Sequence, residues 1–255
     1  MRNLKGRLCV AAMLAALLPV GAASAADLRP IYKAPPAVLP PPLYNWSGFY
    51  GGVNIGGSWG HQDTALTIGA SAVLSNSNHI NGVIGGGQIG FNWQAVGSPW
   101  VFGIETDIQG SGQKADGSFF IPGTAVILVV PPTTLTYQDK LEWFGTLRGR
   151  IGYAMGDQGR WLPYITGGLA YGENKVSGSG SLVGVPVAFS ASTTNVGWTI
   201  GAGLEWAFWD RWSAKLEYLY IDFGNGPTVP LSGNTAITTN HLTDNIGRVG
   251  VNYRF

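Results

Sequence analysis

The chain has 255 residues, 15 lysines and arginines against 14 acidic residues, and only 11% charged residues, where an ordinary soluble domain carries about 25%. The net charge of +1 supplies no basic field, which excludes nucleic acid as a partner. Its 39 glycines, ten each of Trp, Tyr and Phe, and single cysteine, Cys9, exclude a disulfide scaffold, and the absence of long apolar runs in the mature chain excludes helical membrane spans.

Arg2, Lys5 and Arg7 precede an apolar stretch from Leu8 to Val20, and Ala23-Ser24-Ala25 follows as a small-residue cleavage point. This is the pattern of a secretory signal, and the stretch falls short of the about 20 residues that a helical span needs. Residues 1–25 therefore read as a cleaved signal peptide; its removal takes away Cys9 and leaves 12 basic against 14 acidic residues. Residues 26–45, with Pro30, Pro35, Pro36, Pro40, Pro41 and Pro42, read as an extended periplasmic leader.

Residues 46–255 are expected to form one domain. Eight segments alternate with period two: Phe49–Trp59, Val83–Trp93, Trp100–Gln109, Leu141–Tyr153, Trp161–Tyr171, Asn195–Trp206, Trp212–Ile221 and Leu242–Phe255. In the fourth, Leu141, Trp143, Leu147, Ile151 and Tyr153 are placed on the apolar face, against Glu142, Phe144, Thr146, Arg148 and Arg150. In the last, Val249, Val251, Tyr253 and Phe255 oppose Arg248, Gly250, Asn252 and Arg254. Each segment suits a tilted bilayer-crossing strand, which needs about 9–11 residues. Trp59, Trp93, Trp100, Trp143, Trp161, Trp206 and Trp212 fall at or near the ends of apolar faces, the place of interfacial aromatic girdles.

Connections alternate between long, near 60–80, 111–139, 173–194 and 224–240, and short, near 94–99, 154–160 and 207–211. Long loops outside and short turns inside describe an outer-membrane barrel. The expected fold is all-β: an eight-stranded antiparallel transmembrane β-barrel of up-and-down topology in a Gram-negative outer membrane, both termini periplasmic. The last segment must pair with the first, because an open sheet edge finds no water in lipid.

The opening Trp46-Ser47-Gly48-Phe49-Tyr50 after a proline-rich leader, the run Gly85-Gly86-Gly87-Gln88-Ile89-Gly90-Phe91-Asn92-Trp93, and Trp143 to Tyr153 resemble the small alphaproteobacterial outer-membrane β-barrel family, the outer-membrane immunogenic or porin-family proteins. The likeness extends through Leu162 to Tyr171 and Lys215 to Tyr220, and leaves the loops uncovered. It implies an eight-stranded barrel with roles in envelope integrity and surface exposure. It also makes outer-membrane lipid and lipopolysaccharide the expected surroundings. The closing pattern, with Gly250, Tyr253 and Phe255, is similar to the signal by which the outer-membrane assembly machinery recognises its clients.

Charge on a lipid face costs about 2–4 kcal/mol for Arg or Lys at the midplane, so charged residues are expected inside. Glu105, Asp107, Glu142, Glu205 and Glu217 there oppose Arg148, Arg150, Lys215 and Arg248. An eight-stranded barrel has room inside for little more than its side chains. A salt-bridged interior in a structural protein is therefore the leading expectation. A narrow path for ions or small solutes is the alternative, with an adhesin acting through the long loops on a host or cell-surface ligand beside it.

No enzyme is expected, and no cofactor or metal. His61, His79 and Asp63 share one loop but fall short of a metal-ligand set. His241 and Thr243 share a strand face, yet no orienting carboxylate is identifiable from the sequence. The unusually apolar stretch from Phe119 to Pro132 is expected to extend two strands as a ribbon, with surface interaction as the competing reading.

Overall fold

The computed structural model describes residues 44–68, 71–121, 133–156, 158–182, 185–226, 228–232 and 235–255. The expected signal peptide, residues 26–43 of the expected leader and residues 122–132 of the apolar stretch lie outside them. The strands are β1 (Gly48–Ile68), β2 (Ser71–Gln94), β3 (Trp100–Ile121), β4 (Thr133–Tyr153), β5 (Trp161–Leu182), β6 (Val185–Ala207), β7 (Trp212–Gly224), β8 (Thr228–Ser232) and β9 (Thr235–Arg254). From β1 to β7 each strand pairs antiparallel with the next, β7 and β8 both pair with β9, and β1 also pairs with β9, from Tyr50↔Arg254 to Ile68↔Thr235. That last pairing closes the sheet. β8 joins β9 at Thr238–Thr235, beyond the point where β7 ends. The closed ring thus has eight strands, with β7 and β8 sharing one position.

Alternation sets the two faces. Val53, Ile55, Ile89, Ile104, Leu147, Ile165, Ile200, Leu216 and Val249 point outward and are exposed, as a lipid-facing band requires. Aromatic pairs border it at the short-turn end: Trp100 with Tyr153, Trp161 stacked on Trp206, and Trp212 with Tyr253, at centroid separations of 5.2, 5.4 and 5.1 Å. At the other edge stand Trp59 near Tyr218, Trp143 near Tyr171 and Trp198 near Tyr220.

Two sequence-based expectations are corrected. Residues 60–68, 71–80, 111–121, 133–139, 173–182, 185–194, 228–232 and 235–240 are strand rather than loop. Past the bilayer the ladder continues, but the outer face meets water, so the apolar alternation that marks a spanning strand disappears. Leu141 and Glu142 have exchanged faces. The β4–β5 register shifts between Leu141 and Trp143, and a bulge turns its neighbours. Leu141 is buried at 2% exposure, while Glu142 lies outside, 3.6 Å from Lys175 Nζ.

Adjacent glycines in β1 show how tightly the inner wall is built. A Cβ on Gly56 would collide with the Gly247 carbonyl and the backbone of Arg248, whereas one on Gly57 would meet nothing nearer than 4.0 Å. Gly56→Ala is expected to lower the stability of the refolded barrel by about 1–3 kcal/mol, and Gly57→Ala by under about 0.5 kcal/mol. Urea midpoints read by gel mobility without boiling measure both.

Candidate functional site

The inner face is layered. At the short-turn end, residues 44–47 cross the barrel mouth. Trp46 is 3% exposed, packs with Val101, Ala154, Leu162 and Ala207, and donates from its indole nitrogen to the Gly159 carbonyl at 2.8 Å. Tyr44 donates to the Asp210 carbonyl, and the Arg254 guanidinium covers its ring at 4.5 Å. Burial pushes the Tyr44 phenol up from its ordinary value, partly offset by the Arg254 charge.

Next comes the charged layer. Arg148 on β4 reaches Glu105 at 2.5 Å, Asp107 at 2.9 Å and Glu217 at 3.0 Å, with its Nε on Thr146. Arg248 on β9 bonds Asp107 at 2.9 Å and, through its Nε, Glu217 at 2.7 Å. Lys215 donates to both oxygens of Glu105 at 2.9 and 3.1 Å. Arg150 bonds Glu205 at 2.6 Å and lies over the Tyr164 ring at 4.4 Å. Tyr50 and Tyr164 donate to Glu105 and Glu217; Ser213 and Asn252 complete Glu205.

Four carboxylates therefore meet four cations, and the layer is neutral. Each charge, buried from water, needs its partners to stay ionised. The structure brings together Glu105, Asp107, Arg148, Arg150, Glu205, Lys215, Glu217 and Arg248, and leaves out Glu142. The bulge is the reason, and it is invisible to a strict alternation count.

Above the charges lies an apolar cluster that includes Ile80, Ile84, Leu141, Phe144, Leu219, Ile221, Phe223, Leu242 and Ile246. Higher still, Leu66, Phe119, Leu135, Tyr137 and Ile237 form another, with Phe119 stacked on Tyr137. Sequence reading placed several of these on inner faces without seeing that they meet. Asp139 was missed because it fell in an expected loop; it is buried inside, where Gln62 donates to it at 2.5 Å.

The histidines lie on the outer face. His61 and His79 oppose one another across β1 and β2, rings 4.3 Å apart, and no cluster of three or more His, Cys, Asp or Glu suited to a metal occurs among the described residues. His241 Nε2 stands 3.5 Å from Asp222, so the carboxylate that the sequence did not reveal is present.

A family model described as "Outer membrane protein beta-barrel domain" matches residues 13–255. The chain belongs to that family. It is 33% identical to the 31 kDa outer-membrane immunogenic protein of Brucella melitensis biotype 1, over 96% of this chain and 98% of that protein. It is 32% identical to the 22 kDa outer membrane protein of Rhizobium leguminosarum bv. viciae, over 71% and 66%. Among solved structures it is similar to the Escherichia coli outer membrane protease OmpT, with a TM-score of 0.51 at 10% identity, covering 82% of this chain and 97% of that one; at that identity the likeness is one of fold. The barrel, its outer-membrane address and its kinship with outer-membrane immunogenic proteins are thereby established. The remote protease resemblance carries no catalytic role.

Removing one member of the charged layer strands the others. Arg148→Met leaves Glu105, Asp107 and Glu217 short of their shared cation and is expected to cost about 3–5 kcal/mol. Glu142→Gln is expected to cost under about 1 kcal/mol, because its exposed pair is screened. Urea unfolding of both variants in detergent micelles checks the contrast.

Proposed function

We propose that this outer-membrane barrel is a structural, non-enzymatic envelope protein that presents its long hairpins at the cell surface and holds its lumen closed. The observation that carries this reading is the stack inside the barrel: the Trp46 cap, a neutral layer of mutually bonded charges, and two apolar clusters. Each blocks a hydrated ion in a different way. The apolar layers offer no ligands to replace its water, and in the charged layer every carboxylate is already engaged by a cation of the layer itself.

On this reading residues 1–25 are the cleaved signal, 26–45 the periplasmic leader and 46–255 the barrel. Both ends of the barrel are periplasmic. The support is that residues 44–47 and Phe255 lie with the short turns: the Tyr44 amide donates to Gln158, and the Arg254 amide to Arg211. Short turns mark the periplasmic side in barrels of this type.

Gly250, Tyr253 and Phe255 serve as the assembly signal read by the outer-membrane assembly machinery. In the folded barrel Phe255 is 77% exposed and contributes one backbone bond, to Phe49. Its packing against Tyr253 is edge-on. So little of the native fold rests on it that its removal acts elsewhere. Deleting Phe255 is expected to lower the amount of barrel in the outer membrane severalfold, while the same variant refolded in detergent keeps its heat-dependent gel shift.

Single-channel recording of the refolded protein tests the closed lumen. No steady open level is expected; a stable conductance would transfer the protein to the narrow-channel reading.

A further inference from the structure

Four lysines occur among the described residues, and one of them, Lys215, belongs to the charged layer inside. The other three form a row. Lys114 on β3 pairs directly with Lys140 on β4, and Lys140 pairs directly with Lys175 on β5. All three face outward, since their chain neighbours Gln113, Ala115, Asp139, Leu141, Asn174 and Val176 are buried inside. The described arginines are elsewhere: Arg148, Arg150 and Arg248 in the lumen, and Arg160, Arg211 and Arg254 around the short turns. The row therefore holds every lysine and arginine that the described barrel presents on its outer wall beyond the lipid band.

Like charges directly opposite on neighbouring strands repel and destabilise the pair. Here three stand side by side, roughly 4.8 Å apart strand to strand. Lys175 has a partner in Glu142 at 3.6 Å. Lys114 and Lys140 have no carboxylate within ion-pair distance among the described residues. The nearby acids in adjacent rows are engaged otherwise, Glu173 accepting from the Trp143 indole at 2.9 Å and Asp116 from Gln138 at 2.7 Å. The repulsion is left standing unless an external anion relieves it.

The depth of the row says which anion is at hand. Lys140 lies three residues beyond Trp143, whose ring marks the outer girdle with Tyr171. At roughly 3.3 Å per residue and a tilt of about 40°, that is a rise of about 8 Å. The headgroup layer on each side of the hydrocarbon is about 5–8 Å deep. A lysine stem lets its ammonium settle at the polar boundary while its methylenes lie on apolar surface.

We infer that Lys114, Lys140 and Lys175 form a docking row for the phosphate groups of a phosphorylated glycolipid in the outer leaflet beside the β3–β4–β5 wall. The inference rests on the outer-membrane orientation proposed above, with the long hairpins outside. It gives the lipid partner a defined seat. One ammonium per strand contacts the phosphates, Trp143 and Tyr171 border the sugar–acyl boundary, and outward Leu147 and Leu169 lie along the acyl chains below. Phosphate in this place removes the cross-strand repulsion and tethers three strands through one headgroup.

The test uses the full mature barrel refolded into vesicles that contain lipid A or its dephosphorylated form, followed by extraction in mild detergent and quantification of retained lipid by native mass spectrometry. Wild type is expected to retain the phosphorylated lipid at least tenfold over the dephosphorylated one. The triple variant Lys114→Gln/Lys140→Gln/Lys175→Gln is expected to lose that preference, and Lys114→Arg/Lys140→Arg/Lys175→Arg to keep it. Millimolar inorganic phosphate is expected to leave the retained lipid in place. The inference is overturned if wild type shows no preference, if the glutamine variant keeps it, or if free phosphate abolishes it. The heat-dependent gel shift is read on every variant, and its loss in wild type would count against the barrel itself, separately from the lipid site.

Discussion

Within the hydrocarbon layer no backbone amide or carbonyl can turn to water, so every one must be bonded by the chain itself. For a sheet, that means closing on itself. The pairing of β1 with β9 meets this demand, and the remaining architecture follows from it. Closure gives each strand one face toward lipid and one toward the lumen. The lipid face must be apolar, so charged side chains within the span go inward. Once inside they are cut off from water and must neutralise one another. The mutual bonding of Glu105, Asp107, Glu217, Arg148, Arg248 and Lys215 is a consequence of a backbone requirement, several steps removed.

The same reasoning explains why the lumen is filled. Eight strands leave space for side chains and little else, and a void among charges would raise their cost. Tyr50, Tyr164, Ser213 and Asn252 stand among the ions and add hydrogen bonds to Glu105, Glu217 and Glu205. Trp46 and the Phe144 cluster then separate this layer from water at either end. Buried ion pairs add little net stability in themselves. Their value here is in fixing register, since a strand slipped by one residue would present its charges to lipid.

Much of this was legible in the sequence, because the bilayer imposes a period-two pattern that survives without any knowledge of partners. Glu105, Arg148, Glu217 and Arg248 could be placed inside from alternation alone. Glu142 could not, because one bulged residue reverses the faces on either side of it. The strand extensions beyond the membrane were hidden for a different reason: polar residues on their water-facing side carry no contrast to read. Asp139 and the Asp222–His241 contact belong to this hidden part. So does the lysine row, whose members become neighbours only through the register of three strands.

The interior charges act as one mutually dependent layer. A double-mutant cycle on Glu217 and Arg248 addresses it directly, with Glu217→Gln, Arg248→Met and the combined variant unfolded by urea in the same detergent. The two side chains meet through the Arg248 Nε at 2.7 Å. A coupling of about 1–3 kcal/mol is expected, the double variant losing much less than the sum of the singles. Additive losses, agreeing within about 0.5 kcal/mol, would contradict it.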